Sequence, residues 1–233
     1  MLYEIFDHMH LCTDEAVREM LPLVSEQRRQ QALRYSHTFG RFCCLKSYLM
    51  LLELLSAVYP ELDTSKPEFG YTAQGKPFLL ARPDIHFSIS HTKNAILVAI
   101  ADAPIGVDIE AFRSPSAALI ARTMNPTEQA AIAASAASAA SAASAATLEP
   151  LGTRISASGT PSGLLEPPGT PEALFSAIWT RKEAVLKLRG TGIEGDLKHV
   201  LSGSEAIFTR IFPRKSYAFS IAQQTISPFE ILH

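Results

Sequence analysis

Cysteine is scarce in this chain. Cys12, Cys43 and Cys44 are the only three in 233 residues. Cys43 and Cys44 are sequence neighbours, which rarely bridge, so no disulfide framework is available and a reduced, cytosolic protein is expected. An excess of charge of one sign is also missing. A formal net charge of −2 supplies no basic field for non-specific nucleic-acid binding. No apolar run is long enough for a bilayer. The stretch "YLMLLELLSAVY" is too short, contains Glu53, and reads as a buried helix. The segment "MLYEIFDHMHL" is neither basic nor followed by a long apolar run, which argues against a signal peptide. G-x-x-x-x-G-K-[ST] does not occur, so that common phosphate loop is excluded.

What is present is a chain 47% hydrophobic and long enough to bury a large core, as one domain or two small halves. A helix is expected from about Ser25 to Val58, with a break near Gly40. After the turn-rich "TSKPEFGYTAQGKP" comes "DIHFSIS", which alternates strictly. Ile85, Phe87 and Ile89 point one way; His86, Ser88 and Ser90 point the other. "HTKN" reads as a turn, "AILVAIA" as a buried strand and "IGVDIE" as a third strand. Asn125, Pro126 and Glu128 fit the cap, first turn and N3 acid of a helix. That helix is expected to dissolve in "AASAASAASAASAAT", whose serines recur every three residues and drift around a helix without forming a face. Residues 131–170 therefore read as a mobile insertion, partly helical and partly disordered. A helix follows in "PEALFSAIWTRKEAVLKL", closed by Gly190 and Gly192, and then short strands in "EAIFTRIF" and "SYAFSIA". The order of elements gives an α+β fold with helices on antiparallel sheets.

One strand is odd. In "GVDIE", Asp108 and Glu110 are two residues apart and share a face, while Val107 and Ile109 face the core. Two carboxylates so close repel unless a cation or proton lies between them. One reading is a solvent-facing polar edge. The other is a hard divalent ion such as Mg²⁺, held by carboxylates together with water or phosphate oxygens. On the later helix, Glu183 and Lys187 are i,i+4 neighbours one turn after Trp179, a pattern an ordinary surface ion pair also satisfies. Lys182 alone reads as a solvated charge.

"GVDIE" with the downstream "WTRKEAVLK" resembles the paired signature of the 4′-phosphopantetheinyl transferase superfamily. "QGKPFL" and "FSISHT" resemble its G-K-P and S-H segments, in the family's order. The length resembles the longer, Sfp-like type. Such a resemblance implies two similar halves in one chain, here 1–103 and 104–233, related by a pseudo-twofold. Each would be a helix packed on an antiparallel sheet, with the active site at their interface. It implies transfer of the phosphopantetheine arm of coenzyme A to a serine of an acyl or peptidyl carrier protein. Asp108, Glu110 and Glu183 would hold Mg²⁺ against the diphosphate. Glu183 would accept the serine proton, directly or through water, and Lys187 would stabilise the departing phosphate. Lys76, Ser90, His91, Lys182 and Arg41, with Arg34 less firmly, would meet coenzyme A. The 188–197 segment, with Leu188 and Ile193, would meet the carrier, although Leu188 equally suits a core position. A Mg²⁺-dependent phosphodiester hydrolase and a non-catalytic carrier-binding module are the rival readings. A single chain with both halves is expected to be a monomer.

Overall fold

The computed structural model of the chain describes residues 1–65, 67–146, 170–192 and 196–224. Its first half runs β1 (Leu2–Phe6), α1 (Asp14–Met20), α2 (Glu26–Leu33), α3 (Thr38–Val58), β2 (Phe69–Tyr71), β3 (Pro77–Leu79), β4 (His86–Thr92) and β5 (Ala95–Ala101). Then come β6 (Ile105–Ala111), α4 (Ala117–Thr123), α5 (Pro126–Ala146), α6 (Pro171–Arg189), β7 (Ala206–Phe212) and β8 (Tyr217–Gln223). The strands form antiparallel sheets in the orders β1-β5-β4 and β6-β8-β7, with β2-β3 as a separate hairpin. The mixed α+β class read from the sequence is what forms.

Alternation decides the layering. On β5, Ile96, Val98 and Ile100 join Phe87 and the apolar residues of α1 to α3 in one core. Leu97 and Ala99 turn to the other face, against Val107 and Ile109 of β6 and Phe219 and Ile221 of β8. Beyond the second sheet, Ala184 and Leu188 of α6 pack with Ala222. The order of layers is thus helix, sheet, sheet, helix, and every residue of β5 is buried because both of its faces are covered.

The sheets meet where β4 lies beside β6, and side chains make the join. Ser88 Oγ accepts from the Val107 amide at 3.0 Å, Ser90 Oγ from Ile109 at 3.3 Å, and Thr92 Oγ1 from Ala111 at 3.2 Å. Hydroxyls on alternate residues of β4 thus satisfy alternate amides of β6, which would otherwise be buried without acceptors.

Several expected boundaries move. The long first helix breaks at Arg34–His37, before Gly40, because His37 caps α3 by accepting the Gly40 amide through Nδ1 at 3.0 Å. Gly40 sits inside the first turn instead. β4 continues through Thr92, two residues beyond the expected end, and the turn is Lys93-Asn94. The helix from Pro126 does not dissolve in the repeat but runs to Ala146. Asn125 and Glu128 start it with a reciprocal capping box, at 2.7 and 2.9 Å. Ile132, just before the repeat, anchors it beside Phe175 and Ile178, and alanine's high propensity carries it onward. The Pro/Gly-rich remainder of the expected insertion, 147–169, lies outside the described residues. β1, α1 and α4 carry weak sequence signals and were not expected. Among the described residues, no helix is long and apolar enough to cross a membrane.

Candidate functional site

Glycine at the start of "GVDIE" sets the geometry. A Cβ on Gly106 would collide with the Ala184 carbonyl oxygen and the Leu188 amide nitrogen. The backbones of β6 and α6 therefore approach as only glycine allows. On β6, Asp108 and Glu110 follow Gly106 on the same face. On α6, Glu183 and Lys187 are one turn apart. The close approach brings both pairs together.

Asp108 is 5% exposed. Its Oδ1 accepts from Ser90 Oγ at 2.8 Å and from Lys187 Nζ at 2.7 Å. Lys187 Nζ also donates to Ser90 Oγ at 2.9 Å. Asp108 Oδ2 is buried and has no hydrogen-bond partner among the described residues, and the same holds for Glu183 Oε1. Burial pushes the pKa of Asp108 up against the pull of Lys187 and Ser90. Burial and then the Asp108 charge raise Glu110, with Arg113, Lys187 and Trp179 pulling the other way. Glu183, 9% exposed, is raised by burial and by both other acids, against the pull of Lys187. The three acids thus feel one another and are short of positive charge. The solvent-facing edge that the sequence left open is not what forms. Among the described residues, no three His, Cys, Asp or Glu side chains stand close enough together to hold a metal ion as they are.

Beside this cluster lies a cleft of about 390 Å³, lined by residues that include Lys76, Ser88, Ile89, Glu183, Lys187 and Gly190. Three of the sequence blocks therefore converge on one cavity: the G-K-P turn, the alternating strand and the K-E-A helix. Lys76 is already engaged, donating to the carbonyls of Leu188 at 3.0 Å and Ile105 at 3.2 Å, where it caps the end of α6. Burial lowers its pKa. Ser90 is committed to the Ile109 amide and Asp108. His91 points to the opposite face of β4, edge-on to Phe39 at 6.0 Å. It keeps an exposed surface, yet enough of the ring is enclosed that desolvation, then Lys187, lowers its pKa. Arg41 Nε donates to the Tyr35 carbonyl at 2.9 Å. Arg34 is exposed at the end of α2.

One expectation needs correction, and of the two readings of Leu188 the core one forms. Lys182 is not a solvated charge. It is 1% exposed, and its ammonium donates to Glu128 Oε2 at 2.7 Å and to the Thr123 and Leu197 carbonyls at 2.8 Å each. All three protons are used internally, leaving none for a phosphate. Leu188 is core, packed beneath β6 with Ala184 and Val200. Ile193 lies outside the described residues.

Sequence reasoning missed two features. Ser88 and Thr92 flank Ser90 at strand spacing. Their signal was the polar face of β4, although nothing indicated β6 as the partner. Arg113 lies over the stacked rings of Phe175 and Trp179, 5.6 and 5.5 Å from their centres, and also faces Glu110. No local motif marks it.

No family model matches the chain. Curated proteins do. A 4′-phosphopantetheinyl transferase of Bacillus subtilis is 30% identical over 133 residues, covering 57% of this chain and 58% of the relative. The 4′-phosphopantetheinyl transferase psf-1 of Bacillus pumilus is 24% identical over 177 residues, covering 76% and 62%. The 4′-phosphopantetheinyl transferase Sfp of Bacillus subtilis strain 168 is 29% identical over 133 residues, covering 57% and 58%. The chain thus spans about three fifths of the length of the curated relatives it matches. Over more than half of its own length the chain is thus similar to several 4′-phosphopantetheinyl transferases of the Sfp-like type.

Proposed function

We propose that this chain moves the 4′-phosphopantetheine arm of coenzyme A to a serine of an acyl or peptidyl carrier protein, releasing 3′,5′-ADP. The observation that carries this reading is the cleft itself. It is lined by residues that include Lys76, Glu183 and Lys187 and adjoins an acid cluster with two buried carboxylate oxygens that have no partner among the described residues. That donor chemistry fits a hard divalent cation. Asp108, Glu110 and Glu183 would hold Mg²⁺, which supplies neutralisation of the diphosphate charge. Lys187, one third exposed at the cleft wall, is suited to charge developing on the departing phosphate. Glu183, raised by burial, is suited to accept the serine proton. His91, edge-on to Phe39 on the other side of β4, and Arg41 are suited to the 3′-phosphate end. Lys76 serves the cleft side, through the turn it holds against the end of α6. Lys182 acts from behind, by fixing the helix that carries Glu183.

We read the two sheet-and-helix units as similar halves with the active site between them, divided near residue 103. The β4–β6 seam and the placement of Lys187 over it support that division. The protein is read as a cytoplasmic monomer. Incubation with coenzyme A, Mg²⁺ and an apo-carrier protein tests the activity. The carrier gains the mass of one phosphopantetheine if the reading is right. Cleavage of coenzyme A without carrier would indicate the hydrolase, and a stable complex without product the binding module.

A further inference from the structure

Lys187 occupies an unusual place. Its ammonium sits on Asp108 Oδ1 and Ser90 Oγ, at 2.7 and 2.9 Å, inside the group of acids. The same side chain also lines the open cleft and is one third exposed. The second oxygen of Asp108 and one oxygen of Glu183 are buried and have no partner among the described residues. One ammonium cannot satisfy three acids. It takes one oxygen, and the carboxylates stay too dispersed to form a ready ligand group. We propose that Lys187 is the resident cation of the acid cluster, that a divalent cation binds by exchanging with it at Asp108, and that the exchange releases the ammonium into the cleft.

The chemistry favours such an exchange. Asp108 Oδ1 accepts from both Lys187 and Ser90, and a cation arriving at this carboxylate competes with an ammonium already touching it. A divalent charge can answer all three acids at once, which a single ammonium cannot. Ser90 retains its bond from the Ile109 amide throughout, so β6 keeps its register while Lys187 leaves. The released ammonium has a flexible stem and faces the cavity, so its charge passes from the carboxylate to whatever anion the cleft holds. By linkage, the Lys187–Asp108 contact and cation binding oppose each other to the same extent in both directions. This rests on the acids being a cation site, as in the reading above.

Mn²⁺ binding, followed by electron paramagnetic resonance without coenzyme A, tests it. Lys187→Met should bind Mn²⁺ about tenfold more tightly than the parent. Arg113→Met is the control. It also removes a positive charge facing the cluster but none in contact with Asp108, and should gain less than about threefold. In the unmutated protein, amine labelling of Lys187 read by mass spectrometry should accelerate several-fold when Mn²⁺ is added. Equal Mn²⁺ affinity in Lys187→Met and parent, an Arg113→Met gain as large as that of Lys187→Met, or labelling that does not accelerate would overturn the exchange and leave the cation site standing. No Mn²⁺ binding to any of the three proteins would overturn both.

Discussion

Lys182 and Lys187 stand little more than a turn apart on α6, and their surroundings could hardly differ more. Lys182 is enclosed, with three acceptors for three protons and a counter-charge in Glu128. Lys187 shares one carboxylate oxygen with a serine, and two acid oxygens near it go unpaired among the described residues. A folded chain closes its polar junctions when they only hold it together. Buried groups left without partners need another explanation, and a ligand is one. The contrast separates a strut from a site without any knowledge of the reaction.

Breaking the strut should have the largest effect. Lys182→Met leaves Glu128 without its partner and two buried carbonyls without a donor. It should cost about 3–5 kcal/mol of stability in urea denaturation. Adding Glu128→Gln should recover part of that loss, and a double-mutant cycle measures how much. On the other side of the comparison, Asp108→Asn should leave the melting temperature unchanged or raised, since it removes a buried charge that its neighbours under-satisfy. Turnover with an apo-carrier should fall by about 10²–10³. Lost stability with retained turnover would exchange the roles assigned to the two places.

Smaller effects sharpen the boundary between them. Ser90 belongs to both seam and site, whereas Thr92 belongs to the seam alone. Ser90→Ala should cost about 1–2 kcal/mol and also lower turnover. Thr92→Val should cost a similar amount of stability and leave turnover near normal. The smallest effect is expected at Asp7, which accepts from Tyr217 Oη at 2.9 Å and from the Lys215 ammonium. Burial acts to raise its pKa, but these contacts outweigh it and hold the carboxylate below its usual range. Because the folded pKa lies below the unfolded one, the contribution is present at neutral pH and is lost as pH falls below about 4. Asp7→Asn should therefore flatten the melting-temperature profile below pH 4, and only modestly, as Lys215 is half in solvent.

Much of this was legible in the residues. Alternation in "FSIS" and "GVDIE" gave the strand faces, and the Asn125–Glu128 spacing gave a capping box that forms. The four sequence blocks pointed to one another, and three line one cleft. What stayed hidden was contact between distant segments. Nothing local shows that Lys182 will meet Glu128 and two carbonyls, because a lysine on an amphipathic helix looks the same whether water or a buried carboxylate lies beyond it. Nothing local shows that the serines of β4 will serve β6. The extent of α5 was missed for another reason: periodicity measures the faces a helix can bury, and an alanine-rich helix extends without burying one.

The hydroxyl seam also gives β6 two kinds of timekeeping. The amides of Val107, Ile109 and Ala111 point at hydroxyls of β4, while the intervening ones point toward β8 and its backbone ladder. A backbone partner can leave only when a strand moves; a hydroxyl can leave when one rotamer turns. Neighbouring amides of a single buried strand should therefore exchange their hydrogens on alternating schedules, slow where β8 holds them and faster where a serine or threonine does.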